Sequence, residues 1–215
     1  MKYAVVTDHP VAYDSPDHQS PWGTKNDDTH APAFVAACVR NLGSPLRAMD
    51  IGCSSGGIVE DWLTFGHEAI GLEGSDYSKG IGRASWGRIP DNLFTCDVGY
   101  PFQVLRDGEP AKFDVISAWA FLEHVPEASV PVLFRCVMDH LVPGGLFVGS
   151  ISNANDPPWH INRQSREWWA EKMMEAGFST KHKHTFEQAT GEYARTDGFR
   201  AGSHGWPFVV IKPHG

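Results

Sequence analysis

Apolar positions in this chain fall into short, nearly unbroken runs separated by stretches of helical spacing, and that rhythm predicts the fold. Strands are expected at 47–51, 68–73, 93–96, 113–119 and 145–151. Helices are expected from Ala31 to about Asn41, with Gly43 just beyond its end, and at 57–65, 76–86, 128–141 and 165–176. Gly144-Gly145 punctuates the entry to the fifth strand, and Gly177 closes the last helix. Strands alternating with helices predict a parallel sheet covered on both faces. The tail leaves this rhythm. Phe178 to Phe186 alternates like a strand, Trp206 to Lys212 is a compact apolar strand, and 187–205 reads as a long Gly- and charge-rich loop. Two strands with no crossover helix between them pair antiparallel. The expectation is therefore an α/β fold with a seven-stranded sheet, five strands parallel and a C-terminal pair antiparallel. Residues 1–30, dense in Asp, His, Pro and Gly, read as turns. They form an N-terminal arm or lid ahead of a domain at 31–215.

Composition narrows the partners. A chain of 215 residues holds one α/β domain with a substantial core. The formal net charge of −8 argues against a nucleic-acid backbone as the main partner, although Arg163, Arg166, Lys181, Lys183, Arg195 and Arg200 gather in the last third. Cys38, Cys53, Cys96 and Cys136 have no Cys-x-x-Cys spacing, so neither zinc nor a disulfide framework is expected. The first apolar run is too short for a signal peptide, and no stretch nears the ~20 apolar residues of a membrane span. The chain reads as soluble and cytoplasmic. The sequence sets no oligomeric state.

The chemistry begins at Asp50-Ile51-Gly52-Cys53-Ser54-Ser55-Gly56-Gly57, a strand end, a small-residue loop and a helix start. Glu73 closes the next strand. Adenosine cofactors over the carboxyl ends of parallel strands need such parts: small residues for close backbone approach, and a carboxylate to accept from both ribose hydroxyls. A dinucleotide fingerprint starting at Gly52 requires glycine at position 54, which is Ser54. Asp50 would also repel a pyrophosphate, whereas it suits a ligand carrying an ammonium and a sulfonium.

Further segments follow in order. They are Gly71-Leu72-Glu73-Gly74-Ser75-Asp76, then Thr95-Cys96-Asp97, then Phe113 to Trp119 with Leu122-Glu123-His124-Val125, and Leu141-Val142-Pro143-Gly144-Gly145. With the Asp50 loop they make the chain resemble the class I S-adenosylmethionine-dependent methyltransferases, a similarity covering roughly 31–212. Ser54 departs from it, since glycine is commoner there. The Ser-Pro-Asp-His and Pro-Trp-Gly-Thr segments ahead of the fold, with His160, Glu167-Trp168-Trp169 and Ala176-Gly177-Phe178 after it, resemble a narrower branch of sugar and small-molecule methyltransferases. The resemblance implies a Rossmann-like fold, S-adenosylmethionine as cofactor, and O-methylation of a sugar or another small molecule.

It also implies roles. Asp50, Gly52, Cys53, Ser54 and Gly56 surround the methionine part, Glu73 holds the ribose hydroxyls, and Asp97 accepts from the adenine amino group beside Val98. Trp119 either presents its face to the sulfonium, an attraction of ~0.5–2 kcal/mol, or packs in the core. An oxygen acceptor must lose a proton, and an imidazole near neutrality is suited to take it. His124 is the first candidate and His160 the second; each has a plainer reading as a loop-shaping residue. Trp22 either closes over the bound ligands or packs. His182 and His184, with His204, lack a defined acidic partner, so no metal is expected. An NAD-linked oxidoreductase and a non-catalytic cofactor-binding module stand as alternatives.

Overall fold

The computed structural model describes residues 2–21, 29–184 and 205–214. In chain order its elements are β1 (Tyr3–Val6), α1 (Pro16–Gln19), α2 (Pro32–Leu42), β2 (Arg47–Ile51), α3 (Gly57–Thr64) and β3 (Glu68–Glu73). Next come α4 (Tyr77–Gly80), α5 (Ser85–Arg88), β4 (Leu93–Thr95), β5 (Gln103–Arg106), β6 (Glu109–Pro110) and β7 (Phe113–Trp119). Then follow α6 (Val130–His140), β8 (Leu141–Ser152), α7 (Arg166–Glu175) and β9 (Gly205–Ile211).

The main sheet has the order β4-β3-β2-β7-β8-β9. Its first five strands are parallel, and β9 runs antiparallel to β8. The order reverses at β2, the first of the parallel strands in the chain, so ligands are expected above β2 and β7. Side-chain alternation feeds two cores. Met49, Ile51, Ile116 and Phe147 face α6 and α7, while Ala48, Val115, Leu146 and Val148 face α2 and α3. Both faces are therefore covered by helices, as the sequence pattern implies. Among the described residues no helix is long and apolar enough to cross a membrane.

Three details differ from the sequence reading. The seventh strand is reduced to one bridge, in which Ser179 exchanges backbone hydrogen bonds of 2.9 Å with Ile211. Residues 180–184 form no strand, and 185 and 186 lie outside the described residues. The helix expected at 76–86 is two single turns, α4 and α5, because Gly82 and Ala84 between them take positive φ. Tyr3–Val6, read as turn-forming, is a strand in a second, antiparallel sheet of order β1-β5-β6. Tyr3 is buried there and donates its hydroxyl to Glu68 Oε2 at 2.8 Å. Pairing between segments a hundred residues apart leaves no local mark.

Candidate functional site

The carboxyl ends of β2, β3, β4 and β7 open into a cavity of about 890 Å³. That lies within the range of small-molecule sites. Its floor is the loop after β2. Gly52 and Cys53 both donate their backbone N–H to Leu72 O, at 2.8 and 3.0 Å, which pins this loop to β3. Gly52 has φ +71°, and a Cβ there would lie 2.3 Å from the Phe121 ring. Only glycine lets the loop and that ring meet. Ser54, at φ 47°, turns its N–H onto Glu73 Oε2 at 2.8 Å. Gly56 stands outside the cavity wall, as the left-handed residue capping α3 and packed on Leu93 and Ser85.

Two buried acids face the cavity from adjacent strands. Asp50, 4% exposed, accepts the Ser117 hydroxyl at 2.6 Å. Burial pushes its carboxyl up to about 7; the Ser117 bond opposes this shift and the Glu73 charge adds to it. Glu73, 7% exposed, accepts backbone N–H groups from Ser54 and Ser75, one on each oxygen. Burial raises its carboxyl too, against those two bonds. Each carboxylate oxygen retains a second lone pair for a ligand hydroxyl.

Farther along, Asp97 donates its backbone N–H to His9 O at 2.9 Å and accepts from Gly99 N at 2.9 Å. Val98 is buried beside it on the wall. Trp119 combines both readings open to it: it lines the cavity and also sets its ring against Phe34, with centroids 5.2 Å apart.

The roof comes from the N-terminal segment. Ala12 N bonds Gly74 O at 2.9 Å, and α1 follows with Ser15 as its N-cap and Pro16 in its first turn. This places Asp17 over the cavity, its Oδ2 2.8 Å from His124 Nδ1. Burial lowers the His124 imidazole, but the Asp17 carboxylate together with the charges of Glu123 and Glu73 more than offsets it, so the ring sits above its ordinary value. His124 lines the cavity. His160 lies behind it, ring centroids 5.0 Å apart, outside the wall. His160 Nδ1 is 2.9 Å from Ala154 O. Glu123, the neighbour of His124, is fully buried and accepts Ser152 N at 3.0 Å through Oε1.

The structure thus brings Asp50, Gly52, Cys53, Ser54, Glu73, Asp97, Val98, Trp119 and His124 to one cavity. Sequence reading missed Asp17, Ser75, Ser117 and Glu123. The Ser-Pro-Asp-His segment did carry a cap signal for α1. The pairing of Ser117 with Asp50 depends on the strand register that sets the two opposite each other. His182 and His184 lie with ring centroids 5.6 Å apart, while His204 and Trp22 fall outside the described residues.

The chain is similar to proteins of known family and fold. A family model described as a methyltransferase domain matches residues 25–193. A ubiquinone biosynthesis O-methyltransferase of Idiomarina loihiensis is 29% identical over 116 residues, 53% of this chain and 45% of its own length. Another of that name, from Rhodopseudomonas palustris, is 27% identical over 167 residues, 72% of this chain and 62% of its own. The chain thus spans about half the length of the curated relatives it matches. Among solved structures, the glycopeptide N-methyltransferase MtfA with sinefungin superposes with TM-score 0.58 at 14% identity, over 86% of this chain and 87% of that one. An S-adenosylmethionine-dependent methyltransferase of Mesorhizobium loti gives TM-score 0.52 at 20% identity, over 86% and 100%. At such identities these two establish the fold. The family match spans most of the sequence, and the chain belongs to the methyltransferase-domain family of class I, S-adenosylmethionine-dependent fold.

Proposed function

We propose that this chain is an S-adenosylmethionine-dependent O-methyltransferase acting on a hydroxyl of a small molecule, a sugar among the candidates. One observation carries the reading: Asp50 and Glu73, both buried, face one cavity from adjacent strands on either side of a glycine that admits no Cβ. The residues present fit the cofactor. Asp50 would hold its ammonium, Glu73 the two ribose hydroxyls and Asp97 the adenine amino group, with Val98 as an apolar wall. Cys53 and Ser54 supply small loop backbone, and Gly56 serves by capping α3. Trp119 offers an aromatic face to a sulfonium. A pyrophosphate in the same place would meet the Asp50 carboxylate, which weighs against a dinucleotide.

S-adenosylmethionine, when bound, supplies an electrophilic methyl group. The chain's own residues do the rest. They orient both partners, exclude water and draw the proton from the acceptor oxygen. His124 is assigned to that last task, with His160 as the neighbour that stands behind it outside the cavity wall. Each has its Nδ1 engaged, with Asp17 and with Ala154 O, so each presents Nε2. Within the N-terminal arm of residues 1–30, residues 9–20 act as the lid over the bound ligands. The relatives' names concern an O-methylation, which supports oxygen as the acceptor atom.

Calorimetry with S-adenosylhomocysteine tests the cofactor assignment. Binding that weakens at least tenfold in both Asp50→Asn and Glu73→Gln is the expected result. Absence of binding to the wild-type chain refutes it. Transfer of labelled methyl to a panel of sugars and phenols then identifies the acceptor.

A further inference from the structure

Behind the cavity wall, Glu123, His124 and His160 bring one ligand-type atom each to within 4.8 Å of one another. Two independent features mark this trio as more than a loop contact. The first is an orphan. Glu123 is fully buried, its Oε1 is taken by Ser152 N, and its Oε2 has no hydrogen-bond partner among the described residues. A buried carboxylate oxygen left unsatisfied is costly unless something positive completes it. Asn162, whose backbone N–H bonds Glu123 O at 3.0 Å, is likewise buried with both side-chain polar atoms unpartnered among the described residues.

The second feature is how the imidazoles are held. His124 Nδ1 lies 2.8 Å from a carboxylate, Asp17, and His160 Nδ1 lies 2.9 Å from a backbone carbonyl, Ala154 O. Those are the two outer partners that orient metal-binding histidines: they fix the proton on Nδ1 and leave Nε2 as a lone pair. Two imidazole nitrogens and one carboxylate oxygen are thus brought together.

We propose that Glu123, His124 and His160 hold a first-row divalent cation, such as Zn²⁺ or Mn²⁺, at the edge of the cavity. Two imidazoles with one carboxylate favour such ions over Mg²⁺ or Ca²⁺, which prefer all-oxygen sets. Bonds of about 2.1 Å to a single ion draw the three ligand atoms to roughly 3.4 Å apart in a tetrahedral arrangement, a modest contraction. Three protein ligands leave a coordination position open, and His124 lines the cavity where an acceptor enters.

The binding claim rests on this geometry alone; its consequence for catalysis rests on the methyl-transfer reading. A hydroxyl bound to the ion loses its proton to solvent more readily, and the resulting oxygen forms its bond to the methyl carbon as the carbon–sulfur bond breaks, the electron pair staying on sulfur. The imidazoles then serve the acceptor's deprotonation through the ion.

The test is calorimetry of the chelator-treated full chain with ZnCl₂, MnCl₂ and MgCl₂ separately, alongside the visible spectrum of its Co²⁺ form. One Zn²⁺ or Mn²⁺ should bind per chain, with Mg²⁺ weaker. Affinity should fall at least ~100-fold in Glu123→Gln and His160→Ala, and roughly 10–100-fold in Asp17→Asn, which alters only the outer partner. Circular dichroism and S-adenosylhomocysteine binding verify that each variant is folded. Absence of one-to-one transition-metal binding, or binding unchanged in both Glu123→Gln and His160→Ala, overturns the site. Because homocysteine-nucleoside binding is scored separately, a failed metal site and a failed methyltransferase assignment give different results.

Discussion

The Asp17 carboxylate lies 2.8 Å from His124 Nδ1 and joins residues 107 positions apart in sequence. The contact links the roof segment to the loop after β7, so the position of the roof and the orientation of the imidazole are tied together. Asp17→Asn keeps an acceptor for the Nδ1 proton and removes the charge behind it. Turnover should fall about 10–100-fold while affinity for S-adenosylhomocysteine changes less than about threefold. Steady-state kinetics with parallel calorimetry decides this; an equal loss in both would place Asp17 in cofactor binding.

Asp50 couples cofactor binding to pH. Its folded value of about 7 lies above the ordinary 3.8, so between these the native chain binds more protons than the unfolded chain. Stability of the cofactor-free protein contributed by this group is therefore present at low pH and is lost as pH rises from about 4 through 7. An ammonium ligand needs the ionised form, so binding below pH 7 must expel a proton. Calorimetry in buffers of different ionisation enthalpy should register that release at pH 6, and much less at pH 8.5. Asp50→Asn should abolish the release, weaken binding by ~100-fold or more, and flatten the stability slope.

Gly52 tests the close approach of loop and ring. Gly52→Ala places a methyl group 2.3 Å from a Phe121 ring atom at a φ of +71°. The expected cost is roughly 1–3 kcal/mol, with a matching drop in cofactor affinity. Gly52→Ala/Phe121→Ala should recover the steric part and keep the backbone part. Thermal melts of the four proteins in that cycle separate the two; strict additivity would mean that the ring never constrained the loop.

How much of this was legible follows from the range of each interaction. Runs such as Ala48–Ile51 and the small residues at 52–56 act within a few positions, so the parallel strands and the loop they lead into could be read directly. β1 could not, because Tyr3–Val6 is a strand only through its pairing with Gln103–Arg106. The single helix expected at 76–86 failed where Gly82 and Ala84 reverse the backbone sign. Asp50 and Glu73 were readable from their positions at strand ends. Ser117 and Asp17, which bias the acid and the imidazole toward their charged forms, required strand register and chain reversal that no local pattern encodes.

Ser117 supplies the last prediction. Its hydroxyl donates to Asp50 Oδ1 at 2.6 Å and favours the ionised carboxylate. Ser117→Ala removes that donor from a buried charge, so the Asp50 carboxyl should rise further above its ordinary range. Above pH 8.5 the ligand's own cation still holds Asp50 ionised, and S-adenosylhomocysteine affinity should drop less than about threefold. At pH 6 the same variant must first lose a more tightly held proton, and the loss should reach about tenfold. A profile of affinity against pH that shifts upward as a whole supports this account. A uniform loss at every pH would instead mean that Ser117 acts through packing of β7 against β2.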